Sequence, residues 1–311
     1  MLIVFFSHFF AYVKGFDLTV DEYLKAFITS YIGQLMVTMF LFYSGYGVML
    51  SIKKKGMSYV KNLPIQRILK TLIMFDIAIL GYAALKIATR YEFGVKQFLL
   101  TLVGWDSLGN SNWYIFCILC SYLLTFIAFF IVRKNYYLGA SLLTVLTLAF
   151  VLIMSRLKQP YWYNTAICYT LGVWYALFKD KIEAFLNKRL AYYLLAFFGC
   201  FICFAATYVL NRIKSSFIIY ELACVFFVMT VVLFTMRVSI DNKLLRLVGK
   251  NVFGLYILQR LPMAVFSHFS LISKNMYLCF AASIAITVGL TYIFNKISKL
   301  IDKPFKRLVI K

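Results

Sequence analysis

Hydrophobic residues fall in blocks along this chain, and the polar residues between the blocks are mostly basic. The apolar runs are 1–13, 28–50, 71–88, 113–132, 139–154, 162–178, 191–210, 217–236, 250–268 and 276–295. A helix needs about 17–25 such residues to cross the hydrocarbon layer, and most runs meet that length. Run 139–154 is slightly short and can be extended through Leu138 or Ser155. The pattern predicts an all-α integral membrane protein of about ten transmembrane helices, organised as one membrane-embedded domain over 1–311.

The first run departs from the rest. It starts at Met1 with no basic flank and reaches Lys14 after only twelve intervening residues. A signal peptide would carry a positive n-region and a small-residue cleavage site, and neither is visible. The expectation is a first helix that begins upstream of this Met1, so that the chain is N-terminally truncated.

Composition narrows the class. Hydrophobic residues make up 63% and charged residues 14%, with a mean hydropathy of +0.84. Soluble domains carry about 25% charged residues. The net charge of +22 invites a nucleic-acid reading, but such a surface needs basic residues among other polar ones on a solvated face. Here they sit at the ends of apolar runs, so membrane orientation explains them and no nucleic-acid partner is expected. With the N-terminus cytoplasmic, 22 Lys and Arg residues fall on that side and 10 on the other, with Arg260 left inside a span. The bias places both termini in the cytoplasm.

The seven cysteines offer no framework. Cys117 and Cys120, like Cys200 and Cys203, have CxxC spacing inside apolar runs. A zinc or redox site would need polar residues around it. They read as small apolar packing residues, and no metal is expected. No internal repeat with corresponding broken helices is visible, which weakens a secondary-transporter reading.

Ionisable side chains within a span are costly, which makes each a functional candidate. His8 lies in Phe5-Phe6-Ser7-His8-Phe9-Phe10, where a neutral imidazole can accept a hydroxyl proton or simply bond a neighbouring helix. Asp76, in the inner part of the third span, and Arg260, near the middle of the ninth, read as halves of structural ion pairs or as contacts to an anionic ligand. Pro262 frees a backbone carbonyl beside Arg260 and is expected to kink that helix. Glu221 lies near the end of its span and is expected to reach the interface by snorkelling.

The basic stretch 51–70 reads as one of the two longest loops. Arg67 and Lys70, at i,i+3 spacing, share one face at the start of the third helix. Such a pair suits a phosphate or pyrophosphate at the cytoplasmic surface, or lipid head groups. Asp106-Ser107-Leu108-Gly109-Asn110-Ser111-Asn112-Trp113-Tyr114 is a polar outer loop entering a helix. Its Trp and Tyr read as interface anchors, while Asn and Ser beside them also suit a sugar.

Several of these features occur in a familiar order. Leu41-Phe42-Tyr43-Ser44-Gly45-Tyr46-Gly47, Lys53-Lys54-Lys55-Gly56 and Arg67-Ile68-Leu69-Lys70 together resemble the second-to-third-helix region of the acyltransferase 3 family. Asn112-Trp113-Tyr114-Ile115 resembles that family's tryptophan-led helix start, and Leu255-Tyr256-Ile257-Leu258-Gln259 its late "Tyr-Leu-x-His" segment.

The resemblance implies a membrane O-acyltransferase. It would move an acyl group, with acetyl expected, from cytoplasmic acyl-CoA to a hydroxyl of an exported or cell-surface glycan, in a bacterial plasma membrane. His8 would correspond to the first-helix histidine thought to be catalytic, and Arg67 and Lys70 to the basic pair that holds the donor's phosphates. Arg260, Asp76 and Trp113, singled out by the residues rather than by the resemblance, are the candidates for contact with the substrate. Three departures stand out. Lys70 replaces a usual arginine, keeping the charge but losing bidentate geometry. Gln259 stands where a histidine is common. The arginine that the family places roughly three helical turns before its histidine lies before this chain's start. Two other classes remain open: a transporter or flippase of a lipid-linked or anionic glycan using Arg260 and Asp76, and a non-catalytic homologue.

Overall fold

Long apolar blocks have no water to satisfy their backbone, so they close their hydrogen bonds within the segment. The computed structural model describes residues 1–13 and 33–307, and every regular element among them is helical. Lys14, Lys25 and Lys311, counted in the orientation argument, and the start of the 28–50 run lie outside the described residues.

In chain order the helices are α1 (Leu2–Val13), α2 (Gly33–Lys55), α3 (Met57–Leu63), α4 (Lys70–Ala88), α5 (Val95–Leu102) and α6 (Trp113–Val132). They continue with α7 (Tyr136–Leu157), α8 (Ile167–Asn187), α9 (Leu190–Ile213), α10 (Phe217–Arg237) and α11 (Lys243–Leu258). The last three are α12 (Arg260–His268), α13 (Leu271–Lys274) and α14 (Met276–Arg307).

Seven stretches among the described residues are long and apolar enough to cross a membrane: Gly33–Lys55, Met57–Ala88, Trp113–Val132, Tyr136–Leu157, Leu190–Ile213, Phe217–Arg237 and Met276–Asp302. The other three apolar runs take different forms. Leu2–Val13 is a helix of 12 residues. Run 162–178 folds as the end of a short 3₁₀ turn, Pro160–Trp162, and then α8, whose second half carries Lys179, Asp180, Lys181 and Glu183. Run 250–268 is broken at Gln259 between α11 and α12. Pro262 has no N–H to return to Leu258, so the interruption has the cause expected from the sequence.

The stretch 51–70 is not a loop. It is helical almost throughout, with Gly56 at a left-handed φ of 59° between α2 and α3. A π-helical turn, Pro64–Leu69, then joins α3 to α4. Lysine and arginine are good helix formers. The wider π turn accommodates Pro64, and such turns mark places where a helix re-aims its side chains.

The chain divides into two compact units. Among the described residues, the first comprises 1–13, 33–36, 65–119 and 241–307, and the second 37–64 and 120–240. In the first, the apolar side of α1 packs on α12, α13 and α14 through Phe5, Phe9, Phe10, Val13, Met263, Ile272 and Cys279. The ring of Phe280 lies 4.6 Å from Phe6 and 5.1 Å from Phe9, centre to centre.

In the second unit, α2 and α8 cross with their backbones touching. A side-chain carbon added at Gly45 would overlap the Tyr169 carbonyl, and one at Gly172 the Phe42 carbonyl. Lipid tails are as apolar as leucine, so close packing at small residues stabilises such crossings. Polar side chains complete the unit: Thr125 and Tyr169 hydroxyls are 2.9 Å apart, Thr170 donates to Thr147, and the Trp174 indole to Thr144.

Candidate active site

In the first unit, α1 has two faces. Phe5 and Phe9 enter the apolar packing just described. His8 faces polar neighbours instead, and Tyr12, one turn further along the same side, borders both, packing on the apolar cluster and lying under Arg260. The imidazole centre lies 6.2 Å from that of Tyr256, and Nε2 lies 3.5 Å from the Ser111 hydroxyl. That is the long edge of hydrogen-bonding distance, and catalytic hydrogen bonds commonly tighten only when substrate is bound.

The break between α11 and α12 supplies the opposite wall. Two carbonyls there are met by side chains: the Tyr82 hydroxyl donates to Ile257 O at 2.8 Å, and Gln259 Nε2 to Tyr256 O at 3.0 Å. Tyr114 meets Tyr256 edge to face at 5.3 Å. Arg260 borders His8, Tyr82 and Tyr256, with its guanidinium 5.4 Å above the Tyr12 ring. His8 Nδ1, Gln259 Oε1 and Arg260 Nε are buried and make no hydrogen bond of good geometry. Buried polar atoms of this kind are costly unless they meet a partner.

The loop before α6 presents Ser111 to this cluster, and it holds itself in shape. Gly104 and Gly109 turn the backbone at φ of 76° and 103°. Asn112 Nδ2 donates to the carbonyls of Gly104 and Asp106, at 3.1 and 2.8 Å. Asn110 Oδ1 accepts from the Leu108 N–H, and the Ser107 hydroxyl donates to the Asn110 carbonyl. Asn112 and the oxygen of Asn110 are thus spent on the loop's own turns, while Asn110 Nδ2 is buried without a hydrogen bond. Ser111, rather than either asparagine, faces His8.

Trp113 begins α6 and packs on Tyr114, with ring centres 6.4 Å apart. Asp76, on α4, is half-buried, and its Oδ1 is enclosed without a hydrogen bond. Asp76 and Arg260 form no ion pair with each other. Glu221 departs from expectation. It belongs to the second unit, is only 6% exposed, and neither carboxylate oxygen has a hydrogen-bond partner. It does not snorkel, because the segment 163–168 covers its side of α10: Tyr163 packs on Phe217, and Cys224 lies 3.9 Å from the Asn164 carbonyl.

Arg67 and Lys70 are brought together. Both line an open cavity of about 260 Å³, bordered also by Lys250, Asn251 and Phe253 of α11 and Asn295 of α14. Lys70 also pairs with Asp302 at 2.6 Å, and Asn295 donates to Asn251 across the two helices. α4 carries this basic cavity at Lys70 and the polar cluster at Tyr82. Those positions are twelve residues apart, about 18 Å along the axis. α11 does the same over the shorter stretch from Lys250 to Tyr256.

The imidazole on the short apolar helix α1 meets hydroxyl and polar neighbours, and the basic cavity lies further along α4 and α11, two helices that also supply some of those neighbours. The family model described as an acyltransferase domain, acyltransferase 3, matches residues 1–296. The chain belongs to the acyltransferase 3 family. No curated protein and no solved structure matches it. Acyl transfer by a membrane-embedded protein is the activity this family membership supports, and seven apolar helices accord with it. Tyr82, Ser111, Tyr256 and the exposed Lys250 were absent from the sequence-based site. Tyr256 entered only through its segment's resemblance to the family, Ser111 only as one polar residue of the outer loop, and Lys250 only as one more cytoplasmic charge.

Proposed function

We propose that this acyltransferase 3 protein is an O-acyltransferase that moves a short acyl group, acetyl above all, from cytoplasmic acyl-CoA to a hydroxyl of an exported or cell-surface glycan. The observation that carries the reading is His8, with Nε2 toward Ser111 and bordered by Tyr256, Gln259 and Arg260, on an otherwise apolar helix. In this reading about ten segments cross a bacterial plasma membrane, with both termini and the basic cavity on the cytoplasmic side.

The chemistry needs few parts. The neutral imidazole takes the proton of the acceptor hydroxyl as its oxygen attacks the thioester carbonyl. The tetrahedral intermediate collapses with cleavage of the carbon–sulfur bond, and the imidazolium returns the proton to the departing thiolate. Tyr256 and Arg260 lie where they can stabilise the developing oxyanion. Arg67 and Lys70 hold the donor's phosphates at the other end of α4, and the acyl-bearing arm runs along the helices between. Asp76 and Trp113 bear on the acceptor, with membrane lipids around the whole.

The test is purified protein in lipid nanodiscs with labelled acetyl-CoA and a lipid-linked glycan extract. Wild type transfers label, and His8→Ala loses about 10²–10⁴-fold without a change in thermal unfolding. Full transfer by His8→Ala would remove the histidine from the chemistry. Absence of transfer from every short-chain acyl-CoA would favour a transporter of anionic glycan or a non-catalytic homologue.

A further inference from the structure

The basic cavity holds a third cation besides Arg67 and Lys70. Lys250 stands on α11, across from Arg67 and Lys70, and no carboxylate among the described residues pairs with it. Lys70, by contrast, is already held by Asp302. Phe253 lies one turn beyond Lys250 and also lines the cavity, its ring 6.2 Å from that of buried Phe294 at 35°. Asn251 and Asn295, bonded to each other, tie α11 to α14 at the same level. Gly254 lets these two helices approach, since a side chain there would press on Thr291.

Three cations around an aromatic wall match one ligand shape: a purine nucleotide with phosphates at more than one position. Coenzyme A carries such an end, with a pyrophosphate on the ribose 5′ oxygen and a separate phosphate on the 3′ oxygen. Resting on the acyl-CoA reading above, we infer that Phe253 stacks against the adenine, Arg67 and Lys70 hold the pyrophosphate, and Lys250 reads the 3′-phosphate. Lys250 is thereby a donor-specificity residue, favouring coenzyme A over its dephospho form. A shallow site for anionic lipid head groups would use the same cations but not the aromatic wall.

Equilibrium binding in nanodiscs tests this, with coenzyme A, dephospho-coenzyme A and adenosine 3′,5′-bisphosphate as probes. The discs are made once from phosphatidylcholine and once with phosphatidylglycerol added. Wild type prefers coenzyme A over the dephospho form by about tenfold, the scale of one charge-assisted contact, and the bisphosphate competes in both kinds of disc. Lys250→Ala brings the ratio near one and leaves dephospho-coenzyme A affinity within about twofold, while Lys250→Arg restores the preference. Phe253→Leu weakens both coenzymes alike. Equal wild-type affinities, equal loss of both coenzymes in Lys250→Ala, or bisphosphate binding abolished by phosphatidylglycerol would each overturn the assignment. Acyl transfer with an unchanged coenzyme preference in Lys250→Ala would sink the assignment and leave the acyltransferase reading intact. Selective bisphosphate binding without any acyl transfer would do the reverse.

Discussion

The two compact units differ in where many of their polar residues are spent. In the second unit, hydroxyls and ring N–H groups are largely spent on one another: Thr125 with Tyr169, Thr170 with Thr147, Trp174 with Thr144, and Tyr193 with the Leu233 carbonyl. In the first, His8, Gln259 and Arg260 keep buried atoms without good hydrogen bonds, all within one cluster. A membrane interior tolerates polar groups either as glue between helices or as a site that awaits a partner. In the proposed reading the first unit carries the chemistry and the second is scaffold, although Asn164, Thr165 and Glu221 of the second also keep buried polar atoms without a hydrogen bond.

The contrast breaks most violently at the crossing of α2 and α8. Gly172→Leu would drive a side chain into the Phe42 carbonyl, which no rotamer of a flexible neighbour can relieve. The variant should fail to accumulate as monodisperse protein in detergent, and acyl transfer should vanish with the fold. A well-folded Gly172→Leu with normal melting would show that the crossing is looser than described. The next largest effect belongs to the first unit. Tyr82→Phe leaves the Ile257 carbonyl at the helix break without its donor. That should cost about 1–2 kcal/mol of stability and roughly tenfold or more in transfer, because the break falls at Gln259 and Arg260 opens the next helix. A change in melting with transfer unaltered would detach the break from the site.

The spanning helices were legible because burial in lipid writes itself as length: run 113–132 is α6 residue for residue, and run 217–236 is α10 but for its last arginine. The basic stretch 51–70 was misread for the converse reason. Charges and Pro64 look like a loop when water is assumed on all sides, yet lysines at a membrane surface extend a helix without strain. The Arg67 and Lys70 pairing was visible, since i,i+3 is a local relation. Its third cation was not, since Lys250 lies 180 residues further along. The same holds for Ser111 and His8, 103 residues apart, and for Tyr82 and Ile257, 175 apart. Glu221 was misplaced because distance from the end of a run says nothing about which neighbouring segment covers a side chain.

Glu221 is the residue that tests the comparison from the scaffolding side. Its carboxylate oxygens are buried in the second unit without a hydrogen bond, so there it behaves like a site residue rather than like glue. An uncompensated carboxylate in such a place is costly, and an amide of the same shape costs less. If the unit is purely a scaffold, Glu221→Gln raises stability at neutral pH by about 1 kcal/mol or more and leaves acyl transfer untouched. Lower transfer with unchanged melting would place a second functional centre there.

The smallest effect should come from the glue itself. Thr125→Val removes one side of the contact to the Tyr169 hydroxyl while keeping the shape of the side chain. Measured hydrogen bonds between membrane helices average about 0.6 kcal/mol, because the partner finds other acceptors when the pair is broken. Thr125 also donates to the Ser121 carbonyl one turn back on its own helix, so that carbonyl keeps only its backbone bond. A loss of about 0.5–1 kcal/mol in unfolding free energy, with turnover and donor preference unchanged, is the expected result. The value of the variant lies in that separation. If so small a cut in the scaffold altered turnover more than melting, the division between a unit that holds and a unit that reacts would fail at its simplest point.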